Sequence, residues 1–191
     1  MLLAGSRLIN APVMGLQTGT ELARTSKPII NPANLEIIAY EVTGHLLNQH
    51  PSLLRIADVR EFSDIGLIVD SSDEFVKPDD IIKINDIYQL HFDIIDMQVL
   101  DEKKRKLGKV NGYTINTADF FIQQLSVRRP FFKRFSDTEL LVHRTQITHI
   151  SNNAIIVHSE RETPELQAHE TPGSYVNPFR KKAQPQHIER R

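Results

Sequence analysis

Apolar residues fall along this chain in short runs, separated by Gly, Asn, Asp and Pro clusters about every eight to twelve residues. That spacing predicts a small β-barrel or sandwich rather than a helical fold. In the second half, Met97-Gln98-Val99-Leu100 and Leu107-Gly108-Lys109-Val110 flank a polar hairpin running from Asp101 to Lys106. Asn116-Thr117-Ala118-Asp119 predicts the next turn, because Asn and Asp side chains satisfy local backbone groups there. Phe121, Leu125 and Val127 then share one face of a strand, while Phe120 and Ile122 give the other face apolar character. The continuous runs Gly66-Leu67-Ile68-Val69 and Ala154-Ile155-Ile156-Val157 read as closing strands buried on both faces. Between the halves, Ile81, Ile84, Ile87, Tyr88 and His91 have helical spacing, with Asp79 or Asp80 placed to cap the helix. Tyr88, Leu90, Phe92 and Ile94 alternate equally well as a strand. We read a short linking helix that gives way to a strand near Ile94.

The chain also aligns with itself. Arg7-Leu8-Ile9-Asn10 falls on Asp93-Ile94-Ile95-Asp96, Val13 on Val99, and Leu22-Ala23 on Leu107-Gly108. The stretch from Ile30 to Ile37 falls on Ile115 to Ile122, Val42 on Val127, Val59 on Ile147, and Leu67-Ile68-Val69 on Ile155-Ile156-Val157. Identities are few, but apolar and turn positions keep step. The expected organisation is a first module over 1–78, a second over 79–159 and a tail over 160–191. Pro78 beside two aspartates marks the boundary. From Glu160 onward four prolines and scattered charge replace the apolar pattern, which predicts disorder because too little surface can be buried to offset ordering.

Composition sharpens this picture. Among 191 residues, 40% are hydrophobic and 25% charged, normal for a soluble globular protein. With no Cys, disulfides, thiolate zinc sites and a Cys nucleophile are excluded. Met1 to Asn10 does not read as a signal peptide, no apolar run has the length of a membrane span, and a cytoplasmic location is the default expectation. The net charge of −1 conceals a dipolar chain. Met1 to Asp96 carries seven Lys/Arg against fourteen Asp/Glu, whereas Met97 to Ser159 carries ten against five.

The second half, with its Leu107-Gly108-Lys109-Val110 strand after a charged hairpin, then Tyr113-Thr114-Ile115-Asn116, Leu125-Ser126-Val127-Arg128-Arg129-Pro130, His143-Arg144-Thr145-Gln146-Ile147 and the closing Ala154-Ile155-Ile156-Val157, resembles a PRC-barrel domain. The first half is more divergent, with Leu22-Ala23-Arg24-Thr25 at the corresponding strand and no arginine-rich segment. The resemblance implies an all-β protein of two small antiparallel β-barrels in tandem, acting as adaptor modules without a catalytic motif. Relatives in this family include the cytoplasmic domain of a photosynthetic reaction-centre subunit and a domain of a ribosome-maturation factor.

The strongest candidate surface is Arg128-Arg129-Pro130-Phe131-Phe132-Lys133-Arg134-Phe135. Its cations and rings could dock an acidic protein, or contact phosphates while stacking on unpaired bases. They could equally be a strand end with rings packed inward and solvated charges, or could contact the acidic first module. Lys103, Lys104, Arg105 and Lys106 with Lys109 form a second basic group, whose plain reading is a solvated turn. Tyr175 and Phe179, beside Arg180-Lys181-Lys182, could form a short motif that folds on a partner. His143 and His149 share parity on one strand but lie too far apart for one ion, so no metal is expected. Asp58, Glu61, Asp64, Asp70, Asp73 and Glu74 lack a partnered nucleophile, and Gly15, Gly19 and Gly44 form no phosphate loop, so no cofactor or catalysis is expected. The expected function is non-enzymatic: an adaptor or assembly protein recognising a protein partner. The alternative is an RNA- or ribosome-associated maturation factor, and a membrane-surface role is the least favoured.

Overall fold

The computed structural model describes residues 1–45, 47, 50–129, 139–151 and 153–158. The fold is mostly β, with fourteen strands in two seven-stranded sheets and one α-helix among the described residues. The first sheet contains β2 (Pro12–Gly15), β3 (Glu21–Asn31), β4 (Glu36–Thr43), β5 (Ser52–Arg55), β6 (Glu61–Ser63), β7 (Gly66–Val69) and β8 (Phe75–Val76). The second contains β1 (Leu2–Ala4), β9 (Gln98–Asp101), β10 (Lys106–Asn116), β11 (Ile122–Arg128), β12 (Glu139–His143), β13 (Ile147–Ile150) and β14 (Ala154–Val157). The neighbour order is β6-β7-β2-β3-β4-β5-β8 in the first and β13-β14-β9-β10-β11-β12 in the second. Strand for strand the two orders coincide, and the internal repeat is therefore a repeat of topology.

The sheets differ from the expected closed antiparallel barrels in two respects. Both are mixed, since β7 runs parallel to β2 and β14 parallel to β9. Hydrogen bonding among the described residues also follows an open path with free ends rather than closing on itself. The parallel pairs match Val13 with Leu67 and Val99 with Ile155. These four positions are the ones the self-alignment equates. β7 and β14 bury one face fully, through Leu67, Val69, Ile155 and Val157, while Ile68 and Ile156 on the other face are only half-buried. Each lies one strand in from an edge, which explains the partial cover.

β-bulges decide which residues face the core. Thr114 pairs with Gln124 but Ile115 pairs with Ile122, so Gln123 is the extra residue. The bulge switches strand parity, and Ile122 joins Leu125 and Val127 inside, with Phe121 turned outward. The simple alternation expected for Phe121 fails for that reason. The first sheet repeats the device, with Ile29 paired to Ala39 and Ile30 to Ile37 around Ile38.

Helix α1 (Ile82–Tyr88) lies where the sequence predicts it, but its N-cap is Ile81. Asp80 instead accepts the Lys77 N–H at 2.8 Å in the preceding 3₁₀ turn. The expected strand near Ile94 begins only at Gln98. Asp93 accepts the Ile95 N–H at 2.9 Å and Asp96 adopts φ 63°, so the chain turns where a strand would have to extend. Ile94 is nonetheless fully buried.

One hydrophobic cluster unites the two repeats. It holds Leu8 with Ile94, Val13 with Val99, Leu35 with Phe120, Ile37 with Ile122, and Tyr40 with Leu125. Fully burying an aliphatic or aromatic side chain of this kind stabilises by about 1.5–3 kcal/mol. At its centre the repeats meet through matching turns. Ile37 N–H donates to Phe120 O at 3.0 Å, and Ile122 N–H to Leu35 O at 2.9 Å, around an antiparallel bridge between Glu36 and Phe121. Leu35 and Phe120 both have positive φ, 58° and 54°, at a cost of about 1 kcal/mol each that their burial offsets. The N-terminal strand adds a further link, since β1 of the first half pairs with β10 of the second.

Candidate partner-binding surface

The second sheet ends in a hairpin organised by one carboxylate. Asp101 is buried and accepts N–H groups from Lys103 at 2.9 Å and Arg105 at 2.8 Å, and the Arg105 Nε at 2.5 Å. Burial alone would raise its pKa. The hydrogen bonds from the Arg105 backbone and side chain and from the Lys103 backbone outweigh that effect and lower it. The loop is thereby fixed with Lys103, Lys104, Arg105 and Lys106 exposed. Lys104 adopts φ 60°, a conformation that glycine would take without strain.

The two basic groups meet. Lys109 on β10 is the register partner of Arg128 on β11, and Arg128 in turn faces Glu139 on β12. Lys106, Lys109 and Arg128 are exposed, while Arg129, just past the strand, is half-buried. β10 passes close to β11 because of Gly108, where an added Cβ would lie 2.2 Å from Arg128 O. The hairpin lysines and the arginines therefore form one basic surface at one end of the second sheet, balanced only in part by Glu102 and Glu139. Phe131, Phe132, Lys133, Arg134, Tyr175 and Phe179 lie outside the described residues.

Arg105 pairs with Asp101 in its own half, and Arg128 is the register partner of Glu139, while the part of its segment beyond Arg129, which could contact the acidic first module, lies outside the described residues. Some acidic residues of the first half form ion pairs within it. Asp58 holds Arg55 and Asp70 holds Arg60, whose hydrogen bond lowers the Asp70 pKa. His143 and His149 do not share a strand: His143 closes β12, a 3₁₀ turn follows, and His149 lies on β13. Among the described residues no three His, Asp or Glu side chains gather as a metal-binding group.

Three further features were not singled out from sequence. An open groove of about 610 Å³ runs along the junction of the repeats, lined by Glu36, Arg55, Ile56, Phe62, Asp119 and Phe120 among others. On the other side of the junction, Arg144 lies 4.8 Å over the Phe121 ring and donates to Asn34 O at 3.2 Å. Leu141 on β12 is 53% exposed, although its counterpart in the repeat, Leu53, is fully buried. Shifting the repeat alignment of Leu67 on Ile155 back along the chain would have marked that pair.

No protein-family model matches the chain, and no curated protein matches it. No helix among the described residues is long and apolar enough to cross a membrane.

Proposed function

We propose that this chain is a non-enzymatic adaptor or assembly protein built from two PRC-barrel-like repeats, acting in the cytoplasm and recognising an acidic protein partner through the basic end of its second sheet. The observation that carries this reading is the Lys109–Arg128 register pair. Like charges directly opposite one another weaken a sheet, and a lysine at a left-handed position weakens a turn. Stability alone favours neither choice, and both concentrate exposed cations on one surface.

The test is capture of partners by the full chain at low and moderate salt, with the double variant Arg128→Glu, Arg129→Glu beside it. A defined protein partner that persists at moderate salt and is lost by the variant supports the reading. Equal capture by the variant overturns it. RNA that falls away steeply with salt, with a log–log slope of about −0.7 per phosphate contacted, would instead identify a nucleic-acid-binding protein.

A further inference from the structure

The repeats place β5 and β12 in the same position, but among the described residues only β5 is covered. Ser52, Leu53 and Leu54 are all buried. β8 pairs along the edge, matching Val76 to Leu53 and Phe75 to Leu54. Outside, Ile84 of α1 packs on Leu53, Ile29 and Ala39. In the second sheet β12 ends the hydrogen-bonded order, and among the described residues no strand lies beyond it. Glu139, Leu141 and His143 are exposed there, and only Val142 is fully buried. Such an edge presents unpaired backbone N–H and C=O groups beside an uncovered leucine.

We infer that the β12 edge receives an extended segment of a protein partner, added antiparallel in the way β8 is added to β5. The occupant carries an aromatic residue opposite Val142 and an aliphatic one opposite Leu141, as Phe75 and Val76 stand opposite Leu54 and Leu53. Main-chain pairing supplies affinity in this mode and alternate side chains supply specificity. Direction fixes the charge. An antiparallel segment continuing past the aliphatic residue runs toward Glu139, whose register partner is Arg128. Acidic residues three and four positions after the aromatic–aliphatic pair therefore pass Glu139 and arrive at the basic end. The chain contains this pattern in its first half, as Phe75-Val76-Lys77-Pro78-Asp79-Asp80. The inference rests on the protein-partner reading above and adds the partner's chemistry and binding mode.

The probe is a fluorescent peptide with the sequence of residues 72–80, titrated into the full chain and followed by anisotropy. Saturable binding is expected, weakened about tenfold or more by Leu141→Lys in the protein and by Phe75→Ser in the peptide. Position 141 is solvent-facing, so the variant retains its fold, and an unchanged thermal midpoint verifies this. Absence of saturable binding, or equal binding to the variant, overturns the inference. A dimer of the free chain that Leu141→Lys dissociates also overturns it, by making a second copy the occupant. With the captured partner in hand, loss in the Arg128→Glu, Arg129→Glu variant but retention in Leu141→Lys removes the edge assignment and leaves the basic surface standing.

Discussion

The hairpin between β2 and β3 and the hairpin between β9 and β10 hold the same place in the two repeats, but they are built differently. The first turns through Leu16 to Thr20, with Gly19 at φ 66° and Leu16 60% exposed. The second turns on the buried Asp101 carboxylate and displays four consecutive cations. The same divergence occurs at the junction, where Glu36 accepts from Asn34 Nδ2 at 2.9 Å on one side and Phe121 lies under Arg144 on the other. It occurs again at the edge, where β8 and α1 cover β5 and nothing described covers β12. Shared positions are those that build the common core and its two central turns. The largest divergences lie at ends, edges and outer faces. The first repeat has used its outer face to bind its own chain, and the second leaves its equivalent surface charged and open among the described residues.

If the two repeats are one cooperative body, damage at their meeting point must be felt by both. Phe120 is buried in the common core beside Leu35, and its carbonyl accepts from Ile37 of the first repeat. Phe120→Ala is expected to cost about 3–5 kcal/mol through lost burial and the cavity left behind. Thermal unfolding followed separately by near-UV absorbance and far-UV circular dichroism should remain one coincident transition at a lower midpoint. Two separated transitions would show repeats that fold independently and would break the comparison at its base.

A sharper contrast lies at the paired positions Ala23 and Gly108. Ala23 carries its methyl group buried in the first sheet, but a methyl at Gly108 would come within 2.2 Å of Arg128 O. Gly108→Ala should therefore cost about 2–3 kcal/mol by overpacking against backbone, and should weaken capture of the acidic partner by separating β10 from β11. Denaturant midpoints measure the first effect and the capture assay the second. A Gly108→Ala protein of unchanged stability would show that β10 and β11 can part without cost, and would remove the close approach that brings Lys109 beside Arg128.

The features legible in the sequence were local ones. The Asn31–Leu35 and Asn116–Phe120 turns were marked by side chains that bond within two residues, such as Asn31 Oδ1 to Ala33 N–H and Asn116 Oδ1 to Ala118 N–H. The hairpin at Asp101 was legible for the same reason, and helix α1 through the helical spacing of its apolar residues. Parity beyond a bulge was not, because one extra residue at Gln123 inverts every side chain after it. Pairings between distant segments also escaped, including β1 with β10 and the side-by-side position of Lys109 and Arg128. The basic surface was therefore visible as two separate clusters, and only register joins them. The exposure of Leu141 goes with a strand that covers β5 in the first repeat and has no counterpart beside β12 among the described residues.

The mildest prediction concerns a polar group inside the shared core. Tyr40 is fully buried, and its hydroxyl has no hydrogen-bond partner among the described residues. Its counterpart Leu125 fills the same place without a polar atom. Burial pushes the Tyr40 pKa well above its ordinary value, with the Tyr113 charge adding to the effect, and burial pushes Tyr113 up to about 12. In the unfolded chain both phenols ionise near their ordinary value of about 10. Above that pH the unfolded state releases protons that the folded state retains, so stability is complete below about pH 10 and falls as pH rises toward the folded values. Tyr40→Phe removes an unpaired buried hydroxyl and one of the two retained protons. At neutral pH it should leave stability unchanged or raise it by up to about 1 kcal/mol, and between about pH 10 and 12 it should make the decline shallower. Urea midpoints across that range measure both. A loss of stability at neutral pH would mean that the hydroxyl is satisfied in solution, and that the first repeat, unlike the second, keeps a polar contact inside the common core.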